Sequence, residues 1–304
     1  MAVTKFIQYI TYEKRYSPHT IGAYRSDIEQ FIEYTREYFG IIDPGDITHQ
    51  IIRSWIVNLI ENGLSNRSAN RKISSVKAYF SFLLKEGHIN KNPFGKIIRP
   101  KSGTRLPVYV EQGQIERLLD QIEDGNDHAS VRNKLIIELF YVTGMRLSEL
   151  INIRESDIDF YTLYIKVLGK RNKERLIPFN NQLADRIKSY MELKNKAFKE
   201  AETWLFVTDK GKKLYPKLIY RIVTAHLSSV TSLKKKSPHV LRHTFATHML
   251  NQGADLNAIK EILGHANLTA TQVYTHNSIG QLKSIHHKSH PREKVKEVKH
   301  ASKH

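Results

Sequence analysis

The chain has 304 residues, which exceeds one ordinary domain of about 100 to 200 residues, so we expect two domains. Lysine and arginine total 48 against 30 acidic residues, and the net charge of +18 favours a polyanionic partner, nucleic acid in particular. The lack of cysteine excludes disulfides and thiolate nucleophiles, and the lack of a signal-peptide core or of an apolar run near ~20 residues predicts a cytoplasmic protein without membrane contact.

Residues 1–90 have the pattern of a compact helical domain. Apolar residues recur at helical spacing in a segment that includes Ile28 and Phe31, and again in one that includes Ile73. A further helix is predicted around Trp55. The segments are short and each has one apolar face, so we expect them to pack together around one core.

Polar and basic side chains on two of these helices are candidates for groove and phosphate contact. Ser17-Pro18 predicts the start of the first helix, with Ser17 as the N-cap. A solvated basic face explains any single one of these residues equally well. The candidates are Thr20, Tyr24 and Arg25 on the first helix, and Asn70, Arg71, Lys72 and Lys77 on the later one.

Helical periodicity stops at residues 91–105, where proline, glycine and basic residues accumulate as in an interdomain linker. We expect a second domain at 106–288 and a disordered basic tail at 289–304. Within the second domain, apolar and polar residues alternate at 163–167, and Gly169–Asn172 then forms a basic turn. The predicted fold class is therefore mainly α with a small β-hairpin in the second domain.

Two segments of the second domain bring cations to the ends of predicted helices. Gly144 ends one helix, and Arg146 begins the next with Glu149 three residues further on, where its carboxylate can hold the guanidinium. A surface ion pair is an equally good explanation of that spacing. Near the start of a helix opened by Ser-Pro, His239 and Arg242 lie on one face, which is the outline of a phosphate site.

A third segment runs from Leu263 to His276 and contains Tyr274. Gly264 ends a helix, His265 lies in the following turn, and a short helix then carries Tyr274. A lone tyrosine is nearly always structural, so the case for Tyr274 depends on its neighbours in the sequence.

The other histidines have structural explanations. His243 and His248 lie on other faces of their helix, where we expect packing or hydrogen bonding. Histidines also crowd the end of the chain, and we expect them to be solvated and not to bind metal: His286, His287, His290, His300 and His304.

Five motifs, taken in chain order, resemble the signature of the tyrosine recombinase and integrase family. They are Thr143-Gly144-x-Arg146, Gly169-Lys170, His239-x-x-Arg242-His243, Leu263-Gly264-His265 and Tyr274. The resemblance spans nearly the whole chain, because Tyr16–Thr20 resembles the start of the family's N-terminal core-binding domain. Residues 169–178 and 237–248 are most similar to the Xer branch, which resolves bacterial chromosome dimers. The resemblance implies a C-shaped, two-domain clamp on DNA.

The resemblance also implies how the phosphate is held. Arg146 and Arg242 would grip the non-bridging oxygens of the scissile phosphate, since planar guanidiniums suit the charge that gathers there. His265 would donate a hydrogen bond to the same phosphate.

Four further residues receive roles in the covalent step from the resemblance. Tyr274 would attack the phosphorus to give a 3′-phosphotyrosyl linkage and a free 5′ hydroxyl, with His239 as the general base. Lys170, on the hairpin, would protonate the departing 5′ oxygen. Lys173 is the rival for that role and a candidate DNA contact.

The same resemblance implies partners but no cofactor. Because the bond energy stays in the phosphotyrosyl linkage, neither ATP nor a metal is needed. Exchange between two duplexes implies a homo- or hetero-tetramer on double-stranded DNA with paired-arm sites, and a septum-associated activator is possible. Residues 278–287 are the candidates for linking the subunits, although they could equally pack on their own subunit. Whether Tyr274 acts in cis or in trans is open.

Three other functions remain open at this stage. An integrase of a mobile element would use the same chemistry. A type IB topoisomerase would relax DNA, but it places these residue types in differently spaced motifs. A DNA-binding protein of the same fold that no longer cleaves would not need the full set of Arg146, Lys170, His239, Arg242, His265 and Tyr274.

Overall fold

The computed structural model describes residues 2–101, 103, 108–122, 125, 127–169, 174–198, 203–264, 284–286 and 288–291. Contacts between residues divide the chain into two units, Met1–Arg105 and Leu106–His304. Each unit has a hydrophobic core of its own. Within the described ranges, no helix combines the length and the apolar character that crossing a bilayer requires.

The first unit is helical, as predicted. Ser17 caps the longest helix by accepting a hydrogen bond from the Thr20 backbone N–H at 3.3 Å. In the core, the ring of Phe31 meets Trp55 edge-on at 4.9 Å and Phe80 at 5.9 Å between centroids. The helices are α1 (Ala2–Gln8), which continues as a π-helical turn (Tyr9–Glu13), α2 (Pro18–Phe39), α3 (His49–Glu61) and α4 (Asn66–Lys85).

Part of the stretch predicted as a linker belongs to this core. Pro93–Lys96 forms a 3-10 turn capped by the Asn92 side chain, and Phe94 is only 3% exposed. Its ring lies 5.6 Å from that of Phe80. The proline and glycine that suggested a flexible segment instead shape a turn that buries one aromatic side chain.

The second unit is built around one helix, α6, whose residues from Leu135 to Thr143 are all buried. A helix that is covered on every side lies in the core of its domain, and α8 and α10 pack against this one. The helices are α5 (Gln112–Gln121), α6 (His128–Thr143), α7 (Leu147–Asn152), α8 (Asn181–Ala197), α9 (Pro216–Ser228), α10 (Pro238–Asn251) and α11 (Leu256–Leu263).

A small antiparallel sheet accompanies these helices. Its strands β1 (Ile158–Asp159), β2 (Tyr164–Leu168) and β3 (Glu174–Pro178) lie in the order β1-β2-β3. Ile165 pairs with Ile177 in the register of β2 and β3, and both are buried. The predicted hairpin is confirmed, while its tip at 170–173 lies outside the described residues.

The expectation that the terminal histidines are solvated is wrong for His286 and His290, which are buried. A ring nitrogen of His286 lies 2.8 Å from the Val142 carbonyl oxygen, and one of His290 lies 3.3 Å from that of Tyr141. These carbonyls belong to the last turn of α6, where intrahelical donors are missing, so the rings satisfy polar groups that would otherwise be buried alone. His287, His300 and His304 lie outside the described residues.

The described part of the C-terminal segment therefore packs on its own chain. Ser289 and His290 are buried, although the tail predicted at 289–304 began at Ser289. The rings of His286 and His290 stack with centroids 5.1 Å apart. Of the residues considered for linking the subunits, the described ones are 284–286, and in the single chain they meet the end of α6 through His286.

Gly144 ends α6 where there is no space for a side chain. Its φ is +58°, and an added Cβ would lie 2.4 Å from Cδ1 of Phe245 and 2.8 Å from Cδ2 of Leu263. We expect Gly144→Ala to lower the free energy of unfolding by about 3 kcal/mol, the sum of a left-handed backbone and an overpacked core.

The matched control is Gly253, in the same unit, with φ +82° and no atom near its added Cβ. Gly253→Ala should cost only the backbone strain of about 1 kcal/mol, as measured by urea unfolding of both variants. Equal losses would show that the packing around Gly144 relaxes without cost.

Candidate active site

Arg146 is held from two sides. It is the N-cap residue of α7, two residues after the left-handed Gly144, and is partly exposed. Its Nη1 donates to Oε1 of Glu149 at 2.8 Å, and its Nη2 donates to the Gly264 carbonyl at 2.7 Å. The Arg146 backbone N–H also donates to Glu149, at 2.7 Å. The guanidinium is therefore fixed by a carboxylate and a backbone oxygen.

Among the described residues, Arg242 is held by two backbone oxygens. From α10 its Nη1 donates to the Gly144 carbonyl and its Nη2 to the Leu263 carbonyl, both at 2.6 Å. Burial, and then the positive charges of Arg146 and Arg175, lower the pKa of Arg242 to about 9. The side chain therefore remains cationic at neutral pH.

Arg175, in strand β3, joins this cluster although the sequence analysis did not single it out. Its Nε donates to the Ile262 carbonyl at 2.8 Å, and its two Nη atoms donate to the two oxygens of Glu149 at 2.6 and 2.8 Å. Arg175 and Ile177 are both buried positions of the strand. Alternate residues of a strand face the same side, so Arg175 lies on the buried side with Ile177, where a cation needs a buried acceptor.

The end of α11 is the common anchor of all three arginines. The last carbonyls of a helix lack intrahelical donors and carry partial negative charge, so cations bind there. Here three consecutive carbonyl oxygens each take one guanidinium: Ile262 takes Arg175, Leu263 takes Arg242, and Gly264 takes Arg146. The chain leaves this anchored end directly into the segment that contains His265 and Tyr274, which lies outside the described residues.

Glu149 is the buried counter-charge of the cluster. Burial alone would raise its pKa, but the hydrogen bonds and charge of Arg175, followed by those of Arg146, outweigh burial and hold the pKa of Glu149 at about 2. The carboxylate therefore stays ionised and keeps both guanidiniums in place over the physiological range.

This pKa predicts an acid-dependent loss of stability. A carboxylate whose pKa is lower in the folded chain stabilises the fold above its unfolded pKa and loses that contribution as the pH falls toward the folded pKa. We expect the stability advantage of the wild type over Glu149→Gln to be about 3 kcal/mol at neutral pH and to shrink between about pH 4.5 and pH 2. Urea unfolding at stepped pH measures it, and a difference that does not change with pH would contradict the prediction.

The three histidines of α10 have different surroundings. His239 lies in the first turn with much of its side chain exposed. Burial of the rest of the ring, followed by the positive charges of Arg242 and Lys235, lowers its pKa. The expected structural role holds for His248, which is buried with its Nδ1 3.0 Å from the Tyr141 hydroxyl. His243 is exposed, so packing is not its role.

The placement of Lys72 on an exposed face is wrong. Lys72 is buried, and its Nζ donates to Asp27 at 3.2 Å and to Gln30. Arg71 makes a bidentate pair with the same Asp27, at 2.5 and 2.9 Å, while half of its side chain stays exposed. Asp27 is 2% exposed, and a carboxylate buried this deeply needs cations beside it, which takes Lys72 away from the surface.

The other candidates in the first unit differ in how accessible they are. The Thr20 hydroxyl bonds to that of Ser17 at 2.9 Å, and the Tyr24 ring packs 6.2 Å from Phe6. The Asn70 amide donates to the Pro100 carbonyl at 2.8 Å. Arg25 and Lys77 are exposed, while Lys170, Lys173, His265 and Tyr274 lie outside the described residues.

Comparison with known proteins agrees with the fold. The model of the phage integrase family matches residues 109–280, more than half of the chain, and that of the phage integrase N-terminal SAM-like domain matches residues 3–87. The chain belongs to the phage integrase family, the tyrosine recombinases.

Similarity to named relatives places it in the Xer branch. It is 37% identical over 294 residues to the tyrosine recombinase XerC of Bacillus subtilis, covering 95% of this chain and 96% of that one. Identity to the tyrosine recombinase XerC of Chlorobaculum parvum is 33% over 312 residues, covering 94% and 93% of the two chains. The enzyme is accordingly a site-specific, Xer-like tyrosine recombinase that exchanges DNA strands by means of a tyrosine nucleophile.

Solved structures share the fold. The Tn1549 transposon integrase in complex with circular intermediate DNA has a TM-score of 0.68 at 22% identity, covering 92% of this chain and 98% of that one. The XerH recombinase in a post-cleavage complex with a palindromic difH substrate has a TM-score of 0.68 at 20% identity, covering 96% and 92%.

Proposed function

We propose that Tyr274 cleaves one DNA strand at a phosphate held between Arg146 and Arg242, and that the strand is rejoined to a partner duplex. The observation that carries this proposal is the pair of guanidiniums anchored on Leu263 and Gly264, directly before the segment that contains Tyr274. The anchored helix end gives the nucleophile's segment a fixed starting point beside the two cations.

Arg146 and Arg242 together form a clamp on the phosphate, and this clamp works by charge and orientation. A guanidinium has more N–H donors than the contacts of Arg146 and Arg242 use, so each can still donate to a non-bridging oxygen. Negative charge grows on those oxygens as phosphorus becomes five-coordinate. Donors that are already fixed stabilise this charge without paying for reorientation during the reaction.

Proton transfers complete the step. The bond from the Tyr274 oxygen to phosphorus forms while the bond from phosphorus to the 5′ oxygen breaks. The phenol proton passes to His239, whose lowered pKa keeps the ring neutral and able to accept it near pH 7. Lys170 gives its proton to the 5′ oxygen, with Lys173 as the alternative donor, and His265 donates a hydrogen bond to the phosphate.

The biological role that we propose is the resolution of chromosome dimers in the cytoplasm, because the curated relatives are named XerC. Two duplexes with paired-arm sites would be joined by a homo- or hetero-tetramer, with exchange of the C-terminal segment between subunits and with a septum-associated activator. A mobile-element integrase would differ in its target DNA and not in its chemistry.

The test is the formation of a covalent adduct. Candidate genomic sites are screened as duplexes nicked beside the cleavage position, so that the short 5′-hydroxyl fragment diffuses away and religation fails. We expect the full chain to form an adduct that survives denaturation, in EDTA and without ATP, and that leaves the 3′ end bound to protein. An adduct on the 5′ side, or a requirement for metal, would overturn the proposal.

DNA affinity should depend on the exposed cations of α4. We expect Lys77→Ala to weaken binding and to reduce the slope of log affinity against log salt by about one unit, the effect of losing one phosphate contact. The same-helix control is Lys85→Ala, since Lys85 already lies 5.1 Å above the Tyr9 ring. Fluorescence anisotropy over a salt series measures both slopes, and equal slopes would remove Lys77 from the interface.

A further inference from the structure

The buried Arg175 has no part in the chemistry proposed above, yet its partners among the described residues are the carboxylate that holds Arg146 and the end of α11. It is 5% exposed, and it bonds to Glu149, which holds Arg146, and to Ile262, the carbonyl next to the one that holds Arg242. Arg175 also lies in the strand that leaves the hairpin tip.

We propose that Arg175 is a positioning residue for DNA cleavage, which orients the Arg146 and Arg242 clamp on the scissile phosphate. This inference rests on the proposed function. Arg175 acts through Glu149 and through the end of α11, and it does not touch DNA itself.

The contact with Glu149 fixes the plane of the carboxylate. Both Glu149 oxygens accept from Arg175, and Oε1 is shared with Nη1 of Arg146. A bidentate pair of this kind sets orientation as well as distance. Without Arg175, Glu149 would keep its contacts with Nη1 and the backbone N–H of Arg146 but would lose the two contacts with β3 that fix the plane of the carboxylate. Arg146 would then present its remaining N–H groups in a less fixed direction.

The contact with Ile262 acts on Arg242. The Ile262 carbonyl is bonded to Nε of Arg175 at 2.8 Å, and the next carbonyl along the helix accepts from Arg242 at 2.6 Å. A shift of this helix end would move the acceptors of both clamp arginines together. Reacting groups misplaced by about 1 Å slow a reaction by about 10²-fold, so this anchor affects the rate.

The variants separate position from charge and from folding. Arg175→Gln removes the bidentate pair, while Arg175→Lys keeps the charge but cannot bond to three acceptors in one plane. The double variant Glu149→Gln/Arg175→Gln removes both partners of the buried pair and leaves the net charge of the cluster as in the wild type, so it provides folded protein if the single variant is unstable.

Arg132 provides the matched control. It is equally buried in the same unit, and its Nη1 bonds to the Val207 carbonyl at 3.1 Å and to Asp209 at 2.6 Å, with no partner in the clamp. Arg132→Gln should lower stability without changing the rate of cleavage by folded protein.

The readout is the rate of adduct formation at saturating DNA, with three duplexes that differ at the scissile group. One carries the normal phosphate. The second carries a methylphosphonate, which removes a non-bridging charge and with it the need for a well-oriented clamp. The third carries a sulfur in place of the bridging 5′ oxygen, which leaves without protonation and therefore bypasses the general acid.

On the phosphate, we expect Arg175→Gln to be about 10²-fold slower than the wild type and Arg175→Lys to be similarly slow. The methylphosphonate should reduce this deficit to less than about 10-fold, and the bridging sulfur should leave it unchanged. In the double variant the two losses should not add, because both changes break the same contact.

Other outcomes overturn the inference. An equal deficit on all three duplexes, or none, would make Arg175 a structural residue like Arg132. Rescue by the bridging sulfur alone would show that it positions the general acid instead. If the wild type itself formed no adduct, the proposed function would be contradicted. If the wild type and Arg175→Gln formed the adduct at the same rate, only this inference would be contradicted.

Discussion

Tyr274→Phe is expected to abolish the covalent protein–DNA adduct, a loss of about 10⁶-fold in rate, as when the nucleophile of other covalent enzymes is removed. Phenylalanine keeps the ring and its packing but lacks the oxygen that bonds to phosphorus. The chain has no cysteine to take over the attack. The measurement is the fraction of suicide duplex that migrates with protein after denaturation.

DNA binding by the same variant should be unchanged, because the substitution removes no charge at neutral pH. Tyr220→Phe is the matched control, since Tyr220 is an exposed tyrosine of α9 in the same unit. It should form the adduct at the wild-type rate. An adduct formed by Tyr274→Phe would show that another residue is the nucleophile.

Arg242→Lys is expected to slow adduct formation by about 10² to 10³-fold, the effect of losing one fixed donor to a transition-state oxyanion. The guanidinium of Arg242 spans the Gly144 and Leu263 carbonyls, and an ammonium cannot bond to both while it also faces the phosphate. The rate should fall much more than the affinity for DNA, because one positive charge is kept.

The control for this substitution is Arg221→Lys, at an exposed position of α9. It should change the rate by less than about two-fold. If Arg242→Lys lost affinity and not rate, Arg242 would act in binding and not in the transition state.

A mixture of Tyr274→Phe and Arg242→Lys tests which subunit supplies the nucleophile. If Tyr274 attacks the phosphate held by its own subunit, no site in the mixture is complete and the adduct forms no faster than with Arg242→Lys alone. If Tyr274 reaches the clamp of a neighbour, mixed assemblies contain complete sites and the adduct returns.

Local sequence signals were sufficient for the helices, the hairpin and the contact between Arg146 and Glu149. Ser17-Pro18 and Gly144 mark helix ends by backbone chemistry that does not depend on tertiary context. Glu149 contacts Arg146 because a three-residue spacing at the start of a helix brings the two side chains together.

What the sequence did not reveal depends on contacts between distant residues. Arg175 meets the carbonyl of Ile262, which is 87 residues away, and Lys72 meets Asp27, which is 45 residues away. Both cases had a local signal that can be recognised: a charged residue at an inward position of a strand or helix. Asp27 is four residues before Phe31 on the core face of α2, so a buried cation opposite it follows.

The terminal histidines were assigned from composition, which ignores acceptors elsewhere in the fold. His286 and His290 bond to carbonyls at the end of α6, and nothing in the tail itself indicates that those oxygens need donors. The burial of Phe94 was likewise not predicted from its own segment, because it depends on a pocket formed by the preceding helices.

The way the three arginines are anchored has a consequence for how this site tolerates mutation. Their acceptors on α11 are main-chain oxygens, which every amino acid carries. Side chains at Ile262 and Leu263 can therefore drift within the limits of core packing without removing a single anchor. Only Gly264, at φ +64° and with Arg175 3.1 Å from an added Cβ, is constrained by identity. Sequence divergence in this helix thus leaves the Arg146 and Arg242 clamp intact, while one change at the glycine that follows its last residue would displace it.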